Sequence, residues 1–433
     1  MRILWITHDV LDPIFPYLMG KPSKGGSWIS PLFFSLSQHK EIIMGVITPV
    51  IAGQVQKKEI DKILYYSIPI KRNSNISNMT IEIVNNYLSA INDFQPEIIH
   101  IHGIERNFAQ LRKFVDERIP IICSIQGIIN SYYPYLKFSS ANIDLKKYQS
   151  IKNKLGRGGV SKMIKGWSDY IPIENDILKL NQYYIGRTLW DKAQLSALNS
   201  KSYYFHGEEL LRPVFYSQSW NLNYCIKHRI FVSSAAYPLK GFQVVLQAVG
   251  VLKQKYPDIQ LIAPLSSFTL NSSKLKDFLI AEDYARYLKA EIQRLDLVNN
   301  IIMQKKLSAE EMAIEYSKAH VFVLPSFVEN SPNSLGEAMM TGTPSIVSLV
   351  GGVQSIVKDE ESALFFPSGD YATLAFQIDR LFSNDNLAIK LSLKAKSIAL
   401  KRHDLAETTN QYLNIYKDVQ KIHHENTSYT PRT

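Results

Sequence analysis

Short apolar, β-branched runs alternate with amphipathic helical patterns along most of the chain. This alternation is typical of parallel sheets whose strands are joined by helices. A first series predicts strands at residues 2–7, 42–48, 97–102 and 120–126, with helices at 81–93 and 105–117. Because these strands are nearly continuous apolar runs, we expect their sheet to be covered on both faces.

A second series predicts strands at residues 229–233, 259–263, 320–324 and 344–348, and helices at 242–255, 281–295, 309–318 and 371–382. A long helical pattern follows at residues 391–422. We therefore predict two Rossmann-like, doubly wound α/β domains, at residues 1–212 and 213–400. Residues 401–433 are predicted to form a helix that packs back on the first domain, followed by a polar tail.

Composition narrows the class of protein. The 433 residues are 45% hydrophobic, enough for two cores, and no apolar run approaches the roughly 18 residues of a membrane span. With two cysteines and no cleavage signal, the chain is predicted to be cytoplasmic. Residues 137–167 contain seven lysines and one arginine against one aspartate, and we interpret them as a basic insertion in the first domain.

Polar residues cluster after the predicted strand at 320–324. Glu329, Asn333 and Glu337 lie between this strand and the next, and Asn333 is a candidate N-cap that would place Glu337 in the first helical turn. In open α/β sheets a ligand binds beyond the carboxyl ends of the strands, where the amides of a helix N-terminus favour anions. The pattern predicts a diphosphate near Asn333 and Ser334, although an ordinary βαβ unit with exposed carboxylates is the alternative.

The spaced set of Pro325-Ser326, Glu329, Glu337-Ala338, Gly342-x-Pro344, Ser348 and Gly351-Gly352 resembles the nucleotide-sugar site of glycosyltransferase family 4, a retaining, group 1 family with the GT-B fold. The resemblance covers most of the C-terminal half. It implies two domains that face each other across a cleft. It also implies donor-binding residues, which are Gly25, Gly26, Lys240, Glu329, Asn330, Asn333, Ser334 and Glu337.

Lys240 and Glu329 are the residues to which the resemblance assigns the chemistry. Lys240-Gly241 follows a predicted strand and precedes a helix, so the lysine can reach a phosphate; alone, the pair would more often be a solvated turn. Gly25-Gly26 would let backbone amides approach the same diphosphate, with a plain turn as the alternative. Glu329 is expected to bind the sugar, and a covalent role remains open.

A second group of residues is assigned to the acceptor side of the cleft, with a purely structural role as the alternative: His102, Gln126, Arg187, Trp190 and Asp191. His100 and His102 lie two apart on a strand, but a metal site is disfavoured because no Cys, Asp or Glu partner is near in sequence. The family often has a histidine where Gln126 stands, and a Gly-Arg pair where Ser234-Ala235 stand.

The resemblance implies that the departing phosphate takes the acceptor proton, so that the enzyme mainly positions groups and stabilises charge. We predict transfer from a UDP- or GDP-sugar without metal or other cofactor, to a glycan or lipid-linked glycan in bacterial polysaccharide or glycoconjugate synthesis. The basic segment is expected to bind anionic membrane peripherally, on the inner face of the cytoplasmic membrane, or else to be a solvated loop. Nucleic acid is not expected as a partner, because no recognised motif accompanies the charge.

Two other functions remain open at this stage. A nucleotide-sugar epimerase can share the fold and would convert donor without an acceptor. A non-catalytic partner subunit would bind nucleotide or glycan without turnover, and the missing arginine and histidine favour it.

Overall fold

The computed structural model describes residues 1–11, 14–19, 28–51, 55–70, 80–264 and 273–428. The chain divides into two compact units. Unit 1 comprises Met1–Asn130, Tyr170–Arg212 and Arg402–Thr433, and unit 2 comprises Ser131–Asp169 and Pro213–Lys401.

Each unit contains one sheet. The strands of unit 1 are β1 (Arg2–Ile6), β2 (Ile43–Ile51), β3 (Gln56–Ile60), β4 (Ile63–Ile70), β5 (Ile98–His102), β6 (Ile121–Ser124), β7 (Tyr183–Gly186) and β8 (Tyr203–His206). Those of unit 2 are β9 (Arg229–Phe231), β10 (Gln260–Pro264), β11 (Ile301–Gln304), β12 (Val321–Leu324), β13 (Ser345–Ser348) and β14 (Leu364–Phe366).

Helices connect these strands. They are α1 (Phe15–Met19), α2 (Ser30–Ser37), α3 (Ile81–Phe94), α4 (Ile129–Ser140), α5 (Ile151–Lys154), α6 (Val160–Leu180), α7 (Leu189–Leu198), α8 (Val214–Ser217), α9 (Phe242–Leu252), α10 (Lys274–Ile280), α11 (Asp283–Arg294), α12 (Ala309–Lys318), α13 (Asn333–Thr341), α14 (Tyr371–Ser383), α15 (Asp385–Arg402) and α16 (Leu405–Ser428).

The sheet of unit 1 has the order β3-β4-β2-β1-β5-β6-β7-β8. Its neighbouring strands are parallel except for the antiparallel pair β3–β4. Alternate residues of β1 enter two different apolar clusters, Leu4 and Ile6 on one side and Ile3 and Trp5 on the other. The sheet is therefore covered on both faces, as its apolar strands predict.

Helix α16 supplies part of the core of unit 1. Tyr412, Leu413 and Tyr416 are buried in the same cluster as Trp5, and the indole of Trp5 donates a hydrogen bond of 3.1 Å to the Tyr416 hydroxyl. The single long helix predicted at residues 391–422 is wrong, because α15 ends at Arg402 and α16 begins at Leu405. At the break, Nδ1 of His403 bonds the Glu209 carbonyl at 2.6 Å.

The sheet of unit 2 is entirely parallel and has the order β11-β10-β9-β12-β13-β14. This is the doubly wound order in which the chain starts in the middle, builds one half of the sheet, and returns to build the other. The topological switch point lies between β9 and β12, where the connections from the two strands lead to opposite halves of the sheet. A ligand is therefore expected beyond the carboxyl ends of β9 and β12.

Residues 137–167 group with unit 2, whereas the sequence pattern predicts them as an insertion in the first domain. Helix α11 holds them there: the Glu282 carboxylate pairs with Lys152 and accepts from the amide of Gly159 at 2.5 Å. The Asp283 carboxylate accepts from the amide of Val160 at 3.1 Å.

Several elements were not predicted from the pattern. Strands β3, β4, β7, β8, β11 and β14 are additions to the two predicted series. The α-helix predicted at residues 105–117 is instead a 3-10 helix at Asn107–Lys113.

Candidate functional site

The loops that follow β9 and β12 bring two distant residues together at the switch point of unit 2. Lys240 ends a short 3-10 turn after β9, and Glu329 lies in the loop after β12. The Nζ atom of Lys240 is 2.6 Å from Oε1 of Glu329. The two residues to which the sequence assigned the chemistry therefore form one ion pair.

Two glycines allow these loops to approach so closely. Gly241 has a φ of +71°, and a Cβ there would overlap the Pro325 carbonyl oxygen. Next to it, the amide of Phe327 donates to the Leu239 carbonyl at 2.8 Å, which ties the loop of Glu329 to the turn of Lys240. Gly351 has a φ of +48°, and a Cβ there would overlap the Glu329 carbonyl oxygen.

The Glu329 carboxylate is held by more than the lysine. Glu329 is only 7% exposed, and the hydroxyl of Ser326 donates to Oε1 at 2.6 Å. The hydroxyl of Ser348 in turn donates to the Ser326 carbonyl at 2.5 Å, which fixes the loop from the end of β13. The carboxylate oxygen is thus oriented by a cation and a hydroxyl at the same time.

The Lys240 ammonium keeps its charge near neutral pH. Burial lowers the pKa of Lys240, but the Glu329 carboxylate outweighs burial and holds that pKa above its usual value. The lysine therefore stays protonated, and its ammonium can bind an anion without first acquiring a proton.

Helix α13 begins one residue earlier than the sequence indicated. Pro332 is the N-cap and Asn333 the first helical residue, so the prediction of Asn333 as N-cap is wrong. Among the described residues no side chain caps this helix, because proline has no capping oxygen. The half-buried Asn333 and Ser334 still form its first turn, where backbone amides lack intrahelical partners.

Glu337 consequently lies in the second turn of α13, not in the first. It is 6% exposed and accepts a hydrogen bond of 3.2 Å from the Tyr316 hydroxyl, which also donates to the Ser334 carbonyl at 3.0 Å. Asn330 is buried in the preceding loop. The contact of Tyr316 with Glu337 was not predicted. Tyr316 lies on α12 at a position of the helical pattern that is equally typical of a core residue.

In unit 1, His102 ends β5 and is buried against Trp5, with 4.0 Å between the ring centroids. Its Nε2 has no hydrogen-bond partner in the described part of the chain. Burial, followed by the charges of His100, His8 and Arg187, holds the pKa of His102 well below its usual value. His102 is therefore neutral at physiological pH and acts as an acceptor or donor, not as a cation.

Gln126 follows β6 and is half-buried. Arg187 follows β7, is 6% exposed, pairs with the Glu209 carboxylate and donates to the Ile125 carbonyl at 3.2 Å. These contacts hold the Arg187 guanidinium in place within unit 1, and its acceptor-side role remains a prediction. Glu209 was not recognised from the sequence, where it is one acidic residue among many.

Asp191 belongs to a capping box at the start of α7. Its side chain accepts from the amides of Arg187 at 2.8 Å and Thr188 at 3.3 Å, and the Thr188 hydroxyl accepts from the Asp191 amide. The Tyr204 hydroxyl donates to Asp191 as well, at 2.7 Å. These contacts account for the burial and position of the Asp191 carboxylate without any acceptor molecule. Trp190, the preceding residue, is half-buried on α7. The acceptor role of both remains a prediction.

The structure thus pairs Lys240 with Glu329 in unit 2, and α13 begins four residues after Glu329. The predicted pair Gly25 and Gly26 lies outside the described residues. Within the described ranges no group of three or more His, Cys, Asp or Glu is placed to hold a metal ion. Nor is any helix there long and apolar enough to cross a membrane.

Two α/β units, each built on a sheet of mainly parallel strands, define the fold class. The predicted GT-B fold is confirmed by likeness to solved structures. Sucrose-phosphate synthase from Thermosynechococcus elongatus superposes with a TM-score of 0.69 at 17% identity, over 97% of this chain and 99% of the other. The Anabaena protein HepE, solved with UDP-glucose, superposes with a TM-score of 0.64 at 13% identity, over 96% and 100%.

Sequence comparison points to a family for part of the chain. Residues 226–398, which contain Lys240, Glu329 and Glu337, match the sequence model described as glycosyl transferases group 1. The D-inositol 3-phosphate glycosyltransferase of Corynebacterium urealyticum is 26% identical over 187 residues, or 43% of this chain. That alignment spans 42% of the relative, so the similarity covers less than half of either protein.

Proposed function

We propose that this protein is a retaining glycosyltransferase of family 4 that transfers a sugar from a nucleotide-sugar donor to a glycan or lipid-linked glycan. The observation that carries the proposal is the Lys240–Glu329 pair at the switch point of unit 2. Both residues lie within the segment that matches the group 1 glycosyltransferases. Ligands of doubly wound sheets bind at this point, so the proposed chemistry and the topology agree.

The donor diphosphate is proposed to bind between Lys240 and the first turn of α13. An ammonium and helix N-terminal amides both favour negative charge, with the helix contributing roughly 0.3 to 2 kcal/mol per charge. Glu337, held by Tyr316, would accept hydrogen bonds from the ribose. Glu329 and Asn330 lie in the loop between β12 and α13, where they would bind the sugar.

Transfer is proposed to proceed without metal. As the bond to the anomeric carbon breaks, negative charge grows on the diphosphate, and the fixed charge of Lys240 stabilises it. The departing phosphate oxygen takes the acceptor proton. Glu329 is a poor candidate for a nucleophile because Lys240 and Ser326 both bind its Oε1, and hydrogen bonds of this kind reduce the electron density available for attack.

A panel of UDP-, GDP- and ADP-sugars tests the proposal. Purified protein would be incubated with each donor and with candidate glycan acceptors, with and without EDTA, and the products followed by mass spectrometry. We expect release of nucleoside diphosphate from one donor, dependent on an acceptor and undiminished by EDTA. Conversion of the donor without an acceptor would instead indicate an epimerase.

A non-catalytic partner subunit is the second candidate, and one observation favours it. Ala235, where the resembled family commonly has an arginine, is buried with 1% exposure, so no second cation stands at that position. Binding of a donor that stays intact with every acceptor would support this candidate and contradict the proposed transfer.

The biological setting proposed is bacterial polysaccharide or glycoconjugate synthesis. Two observations support this setting. Residues 226–398 are similar to group 1 glycosyltransferases. The exposed basic residues of the 137–167 segment suit an acceptor that is carried on an anionic membrane.

A further inference from the structure

A buried amide connects the Lys240 turn with the basic segment of unit 2. Gln243 lies in the first turn of α9, three residues after Lys240, and is 7% exposed. Its Nε2 donates to two carbonyls, Pro238 and Ser139, each at 3.2 Å. Its Oε1 accepts from the Tyr284 hydroxyl at 2.5 Å.

The amide has one orientation that satisfies all three neighbours. Two of them are carbonyl oxygens, which only accept, so the NH₂ group must face them. A flipped amide would place oxygen against oxygen at both carbonyls. The Tyr284 hydroxyl, 3% exposed, completes the set by donating to the remaining oxygen.

Each partner of Gln243 belongs to a different element. Pro238 begins the 3-10 turn that ends at Lys240, and its carbonyl also accepts from the Gly241 amide at 2.9 Å. Ser139 lies in the last turn of α4, where carbonyls lack intrahelical donors, so Gln243 caps that helix. Tyr284 follows Glu282 and Asp283, the residues that hold the other end of the segment.

A second contact joins the same two regions. Phe138, next to Ser139, packs edge-on against Phe327, with 5.9 Å between the ring centroids. Phe327 lies two residues before Glu329 and donates its amide to Leu239. The last turn of α4 therefore touches the loop that carries Glu329 directly, and it is linked to the turn that carries Lys240 through the Gln243 amide.

We infer that Gln243 is a positioning residue for Lys240: it fixes the turn of the lysine against α4 and α11, and so couples the segment 131–169 to the donor site. The inference rests on the proposed function. Lys240 has a long, flexible side chain, so the place of its ammonium depends on how firmly its backbone turn is held. A misplacement of about 1 Å at a reacting centre can cost a large part of the rate.

The test is a double-mutant cycle. Gln243→Met removes all three hydrogen bonds at similar volume, and it would be measured in wild type and in Lys240→Ala. The readouts are kcat/KM for the donor and calorimetric affinity for the nucleoside diphosphate. We expect a loss of about tenfold in wild type and less than about twofold in Lys240→Ala, because Gln243 acts through the lysine. The KM of the acceptor should not change.

Gln247→Met is the matched control, since Gln247 lies one turn later on α9 and is half-buried. It should leave both readouts unchanged. An equal loss in both backgrounds, or no loss from Gln243→Met, would overturn the inference. If Lys240→Ala itself changed neither readout, the proposed donor site would be at fault instead.

A milder variant covers the case in which Gln243→Met loses its cooperative thermal transition. Tyr284→Phe removes only the hydroxyl that donates to Oε1 and keeps the buried ring. We expect it to lower kcat/KM in wild type but not in Lys240→Ala, with a smaller loss than Gln243→Met. Additive losses would again assign Gln243 and Tyr284 to stability alone.

Discussion

At the scale of single residues, the Lys240–Glu329 contact is informative because a buried carboxylate and a half-buried ammonium each need a partner of opposite charge. Removing a charge from water costs several kcal/mol unless a partner compensates it. Here the two charges compensate each other, and Ser326 satisfies the carboxylate further. A phosphate can bind the same ammonium, which has three N–H donors, without displacing Glu329.

Glu329→Gln separates a binding role from a covalent one. We expect turnover to fall but remain measurable, because the amide can still hydrogen-bond a sugar hydroxyl. No glycosyl-enzyme adduct should appear in the intact mass under single-turnover conditions. Complete loss of transfer, together with an adduct in wild type, would instead identify Glu329 as the nucleophile. Glu361→Gln, at an exposed position of the same unit, should behave as wild type.

The placement of a residue at the candidate site was predictable only where a spaced pattern marks it. Lys240 and Glu329 follow strands that meet at the switch point, so the sequence pattern and the topology agree on them. Tyr316 and Gln243 act through hydrogen bonds to elements far along the chain, and no local pattern marks such contacts. For Asp191 the local pattern pointed to a site, while its carboxylate binds the amides that open its own helix.

At the scale of elements, the loops after β9 and β12 approach closely at Gly241 because glycine has no Cβ. Gly241→Ala should lower the free energy of unfolding by more than about 2 kcal/mol, because the Cβ would overlap a backbone oxygen at a positive φ. Thermal or urea unfolding measures the change.

Gly166→Ala is the control for that substitution. Gly166 lies inside α6, and a Cβ there would meet nothing within 4 Å. We expect it to raise stability by about 0.5 to 1 kcal/mol, since alanine is the better helix former. Equal effects at the two glycines would contradict the close approach of the Pro325 and Gly241 backbones.

The attachment of the basic segment to α11 should depend on pH. Burial raises the pKa of Glu282, but Lys152 and the Gly159 amide outweigh it, so the net pKa is lowered. A carboxylate whose pKa is lower in the folded protein than its unfolded value, near 4.5, stabilises the fold at pH values above 4.5. That stabilisation is lost as the pH falls through the folded-state pKa. Glu282→Gln should therefore lower the Tm at pH 7 and change it far less near pH 3.5. A Tm difference that did not shrink in acid would contradict the ion pair.

Elements with strong apolar periodicity were predicted well. Helix α12 spans the predicted 309–318 and opens with a capping box between Ser308 and Glu311. The strands of the second series lie within a few residues of their predicted bounds. Strand β4 was missed although it is apolar, and Pro69 within it is the kind of residue that argues against a strand.

At the scale of the whole molecule, the assignment of residues 131–169 shows what a sequence pattern does not contain. The segment lies between strands of the first sheet, so chain order placed it in the first domain. Glu282, Asp283 and Gln243, more than a hundred residues later, hold it in unit 2. Contacts of that sequence separation have no local signature.

The same segment gives a prediction about membranes. Six of its lysines are exposed, and so are the apolar Leu155 and Phe138. Each basic residue near an anionic surface contributes about 1 kcal/mol. We expect binding to anionic vesicles at low salt, weakened at least about tenfold by the triple change of Lys146, Lys147 and Lys154 to glutamine.

A matched triple variant controls for net charge. Lys305, Lys306 and Lys358 are exposed on the same unit but outside the segment. Changing them to glutamine should leave vesicle binding nearly intact. Equal loss in both variants, or binding that ignores salt, would indicate a non-specific effect of charge and reject the segment as a membrane contact.

The central claim is that unit 2 binds the donor through Lys240 at its switch point, and Lys240→Ala tests it most directly. Nucleoside diphosphate release would be measured with the donor identified by the panel, beside Lys255→Ala, a surface lysine of the same unit paired with Asp379. We predict that Lys240→Ala lowers turnover by about a hundredfold or more, since each tenfold corresponds to about 1.4 kcal/mol of lost stabilisation of the diphosphate charge. Lys255→Ala should match wild type. Turnover of Lys240→Ala within about threefold of wild type would contradict the claim.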